Sequence, residues 1–209
     1  MAQGTAEWKE QRRGKITASH IADIMAVGRG GKPSATRENY LMQLALERMT
    51  GTLAPEGFVS KEMLRGKELE SIARGEYEVR TGVDVDEVDF IDHPDLPNTG
   101  ASPDGLVDTD GLVEFKCPLP KTHFATLRTG QIERQYMLQM HWQMACSRRR
   151  WCDFVSYNPD FPEALQMVVI RVPWNDTLGK QITDAVIAAE DDIEAIASEL
   201  RAMEERYAG

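Results

Sequence analysis

The sequence predicts a mixed α/β fold with a central sheet flanked by helices. The chain has 209 residues, of which 42% are hydrophobic, which is enough for one domain with a substantial core. Neither an internal repeat nor a low-complexity linker divides it, so we expect a single domain over 1–209. Helical patterns come first and are followed by strands, a helix, two strands and a last helix. This order indicates a mixed sheet covered on its faces.

The first part of the predicted domain, 8–80, is expected to be helical. Residues 16–26 are typical of a turn followed by a short helix, with Thr17 or Ser19 as the N-cap. The loop 28–37 contains glycine, proline and basic residues. The next helix is indicated by the spacing of Leu41, Leu44, Ala45 and Met49.

A further helix is predicted over 61–80, after a turn-forming stretch at 50–58. Glu70 lies on a stripe of this helix that otherwise carries small or apolar residues. The other members of the stripe are Met63, Gly66, Ala73 and Tyr77. An acid on such a face requires a partner, and one candidate is Arg74 at position i+4.

The sheet is predicted over 81–172. Its segments are 83–92 for one or two strands, 100–118 for two strands around an acidic turn, 131–147 for a helix, and 151–158 and 165–173 for two further strands. A C-terminal helix over 176–207 is predicted to pack on the body of the domain through Ile182, Val186, Ala189, Ile193, Ile196 and Leu200.

Composition restricts the classes of function. The net charge of −10 argues against broad, non-specific binding of nucleic acid, although a local basic site is compatible with it. The three cysteines contain no CxxC pair, which argues against a zinc or iron–sulfur site and indicates free thiols. The four histidines are scattered and are expected to be structural. Without a secretory signal or an apolar run of membrane length, we expect a cytoplasmic protein with no membrane partner.

The stretch GASPDGLVDTDGLVEFKCP, residues 100–118, places charges where a buried strand is expected. Side chains alternate along a strand, so Glu114 and Lys116 point to one face, about 7 Å apart at Cα, and Phe115 points to the other. If the two strands pair as a hairpin, Asp104 approaches Glu114. Two converging carboxylates repel each other, and a divalent cation removes the repulsion. Oxygen ligands favour Mg²⁺, with Mn²⁺ as a substitute.

The chemistry that these residues indicate is phosphodiester hydrolysis. A bound metal ion polarises a phosphoryl oxygen and supplies hydroxide near neutral pH, and Lys116 beside it can stabilise developing negative charge. The alternative interpretation is a surface hairpin with a Glu114–Lys116 ion pair worth about 0–1 kcal/mol. Asp108 and Asp110 are interpreted as an ordinary solvated turn.

Four ordered blocks between residues 8 and 170 carry a resemblance to a known family. They are Trp8 with RRGKITAS (12–19), RGKELESIAR (65–74), ASPDGLV with GLVEFKCP (101–118), and YMLQMHWQM (136–144). The third block contains the P-D…E-x-K pattern of the PD-(D/E)xK nuclease superfamily. Together the blocks resemble the YqaJ-type viral recombinase family, which is of the phage lambda exonuclease kind. The resemblance implies a restriction-endonuclease-like core.

The resemblance also implies roles for the candidate metal-binding residues. Asp104, Glu114 and the backbone carbonyl of Phe115 would bind the metal ion, and Glu70 would lie near it. Lys116 would be the catalytic lysine. Gln139 would lie beside the site, although an ordinary polar helix residue is the alternative.

Two further residues match family positions that hold the 5′-phosphate of a DNA end. These are Arg12 and Ser19, for which a solvated arginine and a plain helix cap are the alternatives. Arg13 and Lys15 could add to the same positive field. Roles for the 28–37 loop (Arg29, Lys32, Arg37) and for Arg148–Arg150 stay open between DNA contact and solvation.

The function implied is a magnesium-dependent 5′→3′ exonuclease that degrades one strand of linear double-stranded DNA from 5′-phosphorylated ends. The resulting 3′ tails would serve single-strand-annealing recombination. The resemblance further implies a ring-shaped homotrimer that works with a single-strand annealing protein. The alternatives are another PD-(D/E)xK nuclease, such as a structure-selective endonuclease or a Cas4-like enzyme, and a non-catalytic DNA-end-binding module.

Overall fold

The computed structural model describes residues 4–32, 34–55 and 60–208. The helices are α1 (Ala6–Arg12), α2 (Ile21–Ile24), α3 (Ala35–Thr50), α4 (Lys61–Thr81), α5 (Pro120–Thr129), α6 (Arg134–Ser147) and α7 (Asp176–Ala208). The strands are β1 (Ile16–Thr17), β2 (Val85–Asp86), β3 (Ile91–Asp92), β4 (Thr99–Ala101), β5 (Gly105–Val107), β6 (Gly111–Lys116), β7 (Trp151–Tyr157) and β8 (Met167–Pro173). Short 3₁₀ turns cover Ala18–His20, Arg29–Gly31 and Glu163–Leu165.

The strands form two sheets. The larger has five strands in the order β2-β5-β6-β7-β8, and the smaller has three in the order β1-β4-β3. In the larger sheet only β6 and β7 run parallel, so it is mixed, as predicted. The stretch 83–92 contains two strands, and they belong to different sheets.

Helices cover both faces of the five-stranded sheet. On one face Val113 and Phe115 of β6 pack against Ala73 and Tyr77 of α4. On the other face Leu112 packs with Met140 and Met144 of α6. The predicted α/β fold with flanking helices is therefore confirmed. The alternation along β6 sends its odd-numbered residues toward α4 and its even-numbered residues toward α6.

A second core joins the small sheet to the remaining helices. Ile16, Ile21, Leu41, Trp142, Ile182 and Ile193 are among its fully or almost fully buried members. The predicted apolar stripe of α7 contributes to this core, which confirms that the C-terminal helix packs on the body. Among the described helices none is long and apolar enough to cross a membrane.

Some parts of the chain differ from expectation. No element was predicted for α5, and α1 was not distinguished as an element of its own within the part 8–80 that was expected to be helical. The prediction that the side chain of Thr17 or Ser19 caps the short helix was wrong. Thr17 occupies the N-cap position of the 3₁₀ turn, but its side chain makes no capping hydrogen bond. Ser19 lies inside that turn, and His20 occupies the N-cap position of α2.

Parts of three predicted segments lie outside the described residues. These parts are Pro33 of the 28–37 loop, 56–58 of the predicted turn after α3, and 1–3 with 209 at the ends of the predicted domain. The single domain over 1–209 therefore stays a prediction.

Candidate functional site

The β5–β6 hairpin brings Asp104 and Glu114 together. Gly105 pairs with Val113, so Asp104, one residue before β5, lies opposite Glu114 and on the same face of the sheet. The Asp104 Oδ2 accepts a hydrogen bond from the backbone N–H of Phe115 at 2.7 Å. Burial and the charge of Glu114 raise the pKa of Asp104 well above its usual value. The two acids are thus close enough to disfavour their joint ionisation.

Glu114 is held from both sides by α6. Its side chain is 1% exposed. Gln139 donates from Nε2 to Oε1, and Gln143 donates from Nε2 to Oε2, each at 2.7 Å. The structure therefore places Gln139 beside the acids, as the resemblance implied. Gln143 has no assigned role from the sequence, although its i+4 spacing from Gln139 places both on one helix face.

Lys116 supplies the positive charge of the cluster. Its Nζ donates to Glu114 Oε1 and lies 5.1 Å from the ring centre of Tyr136. Burial alone would lower the pKa of Lys116, but the charges of Glu114 and Asp104 outweigh burial and raise it. The side chain is therefore a protonated donor at neutral pH. The contact with Tyr136 has no counterpart in the roles expected from the sequence.

Glu70 reaches the cluster from α4. Glu70 as a whole residue is exposed, which corrects the expectation of an acid on a buried helix face, although its carboxyl group is partly shielded from solvent. Partial burial raises its pKa, Lys116 opposes that rise, and Glu114 adds to it. The ion pair with Arg74 was wrong as an alternative, because Arg74 donates to the Asp104 carbonyl at 2.7 Å and to Glu87 at 3.3 Å. Arg74 thereby anchors α4 to the hairpin.

The available metal donors are oxygens. Among the described residues, no three His, Cys, Asp or Glu side chains are grouped closely enough to form a metal site by themselves. Asp104 and Glu114 therefore need help from backbone or water oxygens. In a strand the N–H and C=O of one residue face the same neighbour. Because the Phe115 N–H faces Asp104, the Phe115 carbonyl points to that side as well, so the donor set fits a hard divalent cation.

A second polar site lies around Arg12, at the end of α1. Its Nη2 donates to Thr17 Oγ1 and to Ser19 Oγ, both at 3.2 Å. The guanidinium stacks on the indole of Trp8 with 4.1 Å to the ring centre. Burial lowers the pKa of Arg12. Within the described residues its partners are hydroxyls and a ring rather than a carboxylate, so this half-buried positive charge has no matching anion among them.

The Arg12 site is connected to the acidic hairpin. Trp8 Nε1 donates to Ser102 Oγ at 3.0 Å, and Ser102 is two residues before Asp104. Arg12 also lines a cavity of about 560 Å³. His20 and Tyr40 stack in the wall of this cavity with 4.3 Å between ring centres. The structure thus brings the predicted phosphate-binding residues and the predicted acids into one connected region.

Comparisons with known proteins agree with this arrangement. The family model of the YqaJ-like viral recombinase domain matches residues 7–150. The chain belongs to the YqaJ-like viral recombinase family. The family predicted from the sequence is therefore confirmed. No curated protein matches the chain in sequence.

Solved structures of exonucleases resemble this family member. An alkaline exonuclease, LHK-Exo from Laribacter hongkongensis, is 41% identical with a TM-score of 0.89, over 97% of this chain and 100% of that chain. The same values hold for LHK-Exo in complex with dAMP. A phage related exonuclease from Haemophilus somnus 129PT is 18% identical, with a TM-score of 0.66 over 89% and 96% of the chains, and shows the fold alone. Membership of the family and the similarity to LHK-Exo together support a nuclease activity for this chain.

Other cations of this family member are largely engaged within the chain. Arg13 donates to the Gly51 carbonyl at 2.9 Å and pairs with Glu10, and Lys15 pairs with Asp92 at 2.6 Å. Their charges are therefore partly neutralised, and they add less to the field around Arg12 than the sequence suggested.

The two remaining basic segments differ from each other. In the 28–37 loop, Arg29 and Lys32 are exposed. Arg37 instead lies in α3, donates to the Ile24 carbonyl and pairs with Asp192 at 2.8 Å. In the Arg148–Arg150 triplet, Arg148 pairs with Asp95 at 3.3 Å and Arg149 donates to three backbone carbonyls. Arg37 and Arg149 therefore hold the fold together.

Proposed function

We propose that the chain is a magnesium-dependent exonuclease that degrades one strand of linear double-stranded DNA in the 5′→3′ direction. It starts from 5′-phosphorylated ends and leaves 3′ single-stranded tails for single-strand-annealing recombination. The observation that carries the proposal is the convergence of Asp104 and Glu114 on the ammonium of Lys116.

The charge balance of the cluster supports a divalent cation. Glu70, Asp104 and Glu114 bring three potential negative charges, and Lys116 is the positive charge that acts on all three. The raised pKa of Asp104 reflects this excess. Mg²⁺, or Mn²⁺ in its place, would neutralise the excess and find the oxygen ligands it prefers. Asp104, Glu114 and the Phe115 carbonyl would hold the ion, with Glu70 in direct or water-mediated contact.

The residues of the site have distinct tasks in hydrolysis. When bound, the metal ion supplies a Lewis acid that polarises the scissile phosphate and activates water. Lys116 is protonated, so it donates to a phosphate oxygen or to the attacking water and stabilises the charge that builds in the transition state. Gln139 fixes the carboxylate of Glu114 and limits its rotation.

The Arg12 site supports recognition of a DNA end. A guanidinium with hydroxyl neighbours, and with no carboxylate partner in the part of the chain that the structure describes, is suited to a terminal phosphate, which it can bind with two parallel hydrogen bonds. Ser19 contributes its hydroxyl to the same place. The Trp8–Ser102 hydrogen bond connects this anchor to the segment before Asp104, so a bound 5′-phosphate would select which phosphodiester meets the acids. The complex of the related LHK-Exo with dAMP, a deoxynucleoside monophosphate, fits release of mononucleotides.

The proposal also includes the oligomeric state of the protein and a protein partner. A ring-shaped homotrimer around the DNA and cooperation with a single-strand annealing protein rest on membership of the family. The molar mass in solution, measured by light scattering, should be three times that of the monomer. A monomer at micromolar concentration would contradict the ring.

One assay tests the activity. Linear duplex DNA with a 5′-phosphate or a 5′-hydroxyl, and closed circular DNA, are incubated with the protein in Mg²⁺ or in EDTA. We expect mononucleotides from linear DNA alone, faster with the 5′-phosphate, and none in EDTA. Cutting of closed circles at the same rate would indicate an endonuclease instead. Binding of DNA ends without cleavage in Mg²⁺ would indicate a DNA-end-binding module.

A further inference from the structure

We propose that Gln143 is a positioning residue of the candidate site. Its amide nitrogen fixes the Glu114 oxygen that keeps a lone pair for the metal ion, and its amide oxygen accepts a hydrogen bond from a water molecule in the site. The inference rests on the proposed function, because it concerns the same metal ion.

The geometry of α6 separates the roles of its two glutamines. Gln139 and Gln143 are four residues apart, so their side chains lie one above the other on the face that meets β6. Each donates to a different oxygen of the same carboxylate, at 2.7 Å in both cases. Two donors on different oxygens fix the plane of the Glu114 carboxylate, which neither could do alone.

The hydrogen bonds leave the two oxygens of Glu114 with different capacities. A carboxylate oxygen offers about two lone-pair sites. The Oε1 atom accepts from both Gln139 and Lys116, so both of its sites are used. The Oε2 atom accepts from Gln143, which leaves one site. The oxygen held by Gln143 is therefore the one that can bind a cation without losing a donor.

The amide oxygen of Gln143 has no hydrogen-bond partner in the described part of the chain, which indicates that it binds a ligand. Gln143 is 0% exposed, and its Oε1 has no hydrogen-bond partner among the described residues. An unpaired buried acceptor costs about 1–3 kcal/mol, and a purely structural amide would have both ends paired. Exchanging the two amide ends gives no relief, since an oxygen would then face the oxygen of Glu114.

A water molecule resolves the unpaired acceptor. The amide oxygen lies about 2.3 Å from the nitrogen of the same group, as amide covalent geometry requires. It is therefore next to the Glu114 carboxylate. Through Gln143, the orientation of Glu114 and the position of this water depend on each other. Groups of this kind commonly change metal affinity by about 10- to 100-fold when they are removed.

The test measures Mn²⁺ binding without DNA. Mn²⁺ is titrated calorimetrically into the wild-type chain, Gln143→Met and the matched control Gln135→Met, which removes an exposed glutamine from the same helix. We expect the Mn²⁺ dissociation constant to rise about 10-fold or more in Gln143→Met and to stay unchanged in Gln135→Met. In cleavage assays the half-saturating Mg²⁺ concentration should rise by a similar factor, while KM for DNA ends stays the same.

Several outcomes would overturn the proposal. Unchanged Mn²⁺ affinity in a folded Gln143→Met protein would do so, and so would absence of Mn²⁺ binding by the wild-type chain. If Gln143→Met does not fold, Gln143→Asn, which keeps the amide but shortens its reach, replaces it in the titration. Loss of folding in both variants would indicate a structural role instead. A wild-type chain that binds Mn²⁺ without cleaving DNA would contradict the proposed function, while the titration would still decide the role of Gln143.

Discussion

Two buried carboxylates lie on neighbouring strands of one sheet and differ in how their charges are balanced. Glu114 of β6 and Asp153 of β7 are 1% and 2% exposed, and they face opposite sides of the sheet. Asp153 accepts from both Nε and Nη2 of Arg171, at 2.8 and 2.9 Å, and from the Tyr77 hydroxyl at 2.8 Å. Glu114 has two neutral amides and one ammonium, whose charge also acts on Asp104.

The difference separates a structural acid from the acid that we propose to be functional. At Asp153 the negative charge is matched by Arg171 and the buried oxygens are hydrogen-bonded, so a further cation would gain little. At Glu114 the acids outnumber the single ammonium, and a divalent cation would remove their repulsion. Burial of a carboxylate is therefore common to both sites, and the balance of charge around it indicates which site performs chemistry.

The largest expected effect on cleavage comes from removing Lys116, the cation beside Glu114. The comparison is with Arg171, the cation beside Asp153. Lys116→Ala should lower the rate of nucleotide release by about 100- to 1000-fold or more, because the developing charge loses its donor. DNA binding, measured by gel shift in EDTA, should persist. Arg171→Ala is the matched variant and should retain the cleavage rate with a lower melting temperature. Full activity in Lys116→Ala would remove its proposed catalytic role.

The substitution of Asp by Asn should have opposite consequences at Asp104, which lies beside Glu114, and at Asp153. Asp104→Asn should reduce cleavage by about 100-fold or more, since it removes a proposed metal ligand. Its stability in EDTA should be equal to or above that of the wild type, because the site favours a neutral group. Asp153→Asn should cleave normally per folded molecule but lose about 1–3 kcal/mol of unfolding free energy. Urea denaturation and initial rates measure both properties, and parallel losses in the two variants would contradict the distinction.

A smaller effect is expected at the Arg12 site. Arg12→Ala should reduce the ratio of cleavage rates on 5′-phosphate and 5′-hydroxyl ends by about 10-fold or more. This corresponds to a charged hydrogen bond of about 1.5–3 kcal/mol. Arg13→Ala is the matched control, since Arg13 is engaged with Gly51 and Glu10. An unchanged ratio in Arg12→Ala would exclude its role in binding the terminal phosphate.

The sequence predicted the parts of the fold that carry an apolar pattern. The alternation in β6 placed Glu114 and Lys116 on one face, as observed, because the intervening positions Val113 and Phe115 are buried. The helices that were not predicted lack this signal. None of the described residues of α1 is buried, and the buried residues of α5 are His123 and Thr126, so neither helix shows an apolar stripe.

The site was predictable where its residues are close in sequence. Asp104, Glu114 and Lys116 form a short motif on a hairpin, and hairpin pairing brings them together. Gln143 and Arg74 reach the same place from α6 and α4, and their partners are 29 and 30 residues away in the chain. Spacing within one element does not reveal such contacts. Ser19 was misjudged for a related reason, since its hydroxyl bonds to Arg12 rather than capping a helix.

The smallest effect concerns the pH dependence of stability at the Asp104 site. Its folded-state pKa is raised above the usual value of 3.8, so the folded protein holds this proton to higher pH than the unfolded chain does. The contribution of Asp104 to stability is therefore present below about pH 3.8 and is lost as pH rises through the folded-state pKa. In EDTA, the advantage of Asp104→Asn over the wild type in unfolding free energy should grow as pH rises above about 3.8, until pH exceeds the folded-state pKa of Asp104. Saturating Mg²⁺ should reverse that advantage, since the ion stabilises the ionised wild type alone. Parallel curves in EDTA would mean that neither burial nor the charge of Glu114 raises the pKa of Asp104, and the contrast with Asp153 would then fail.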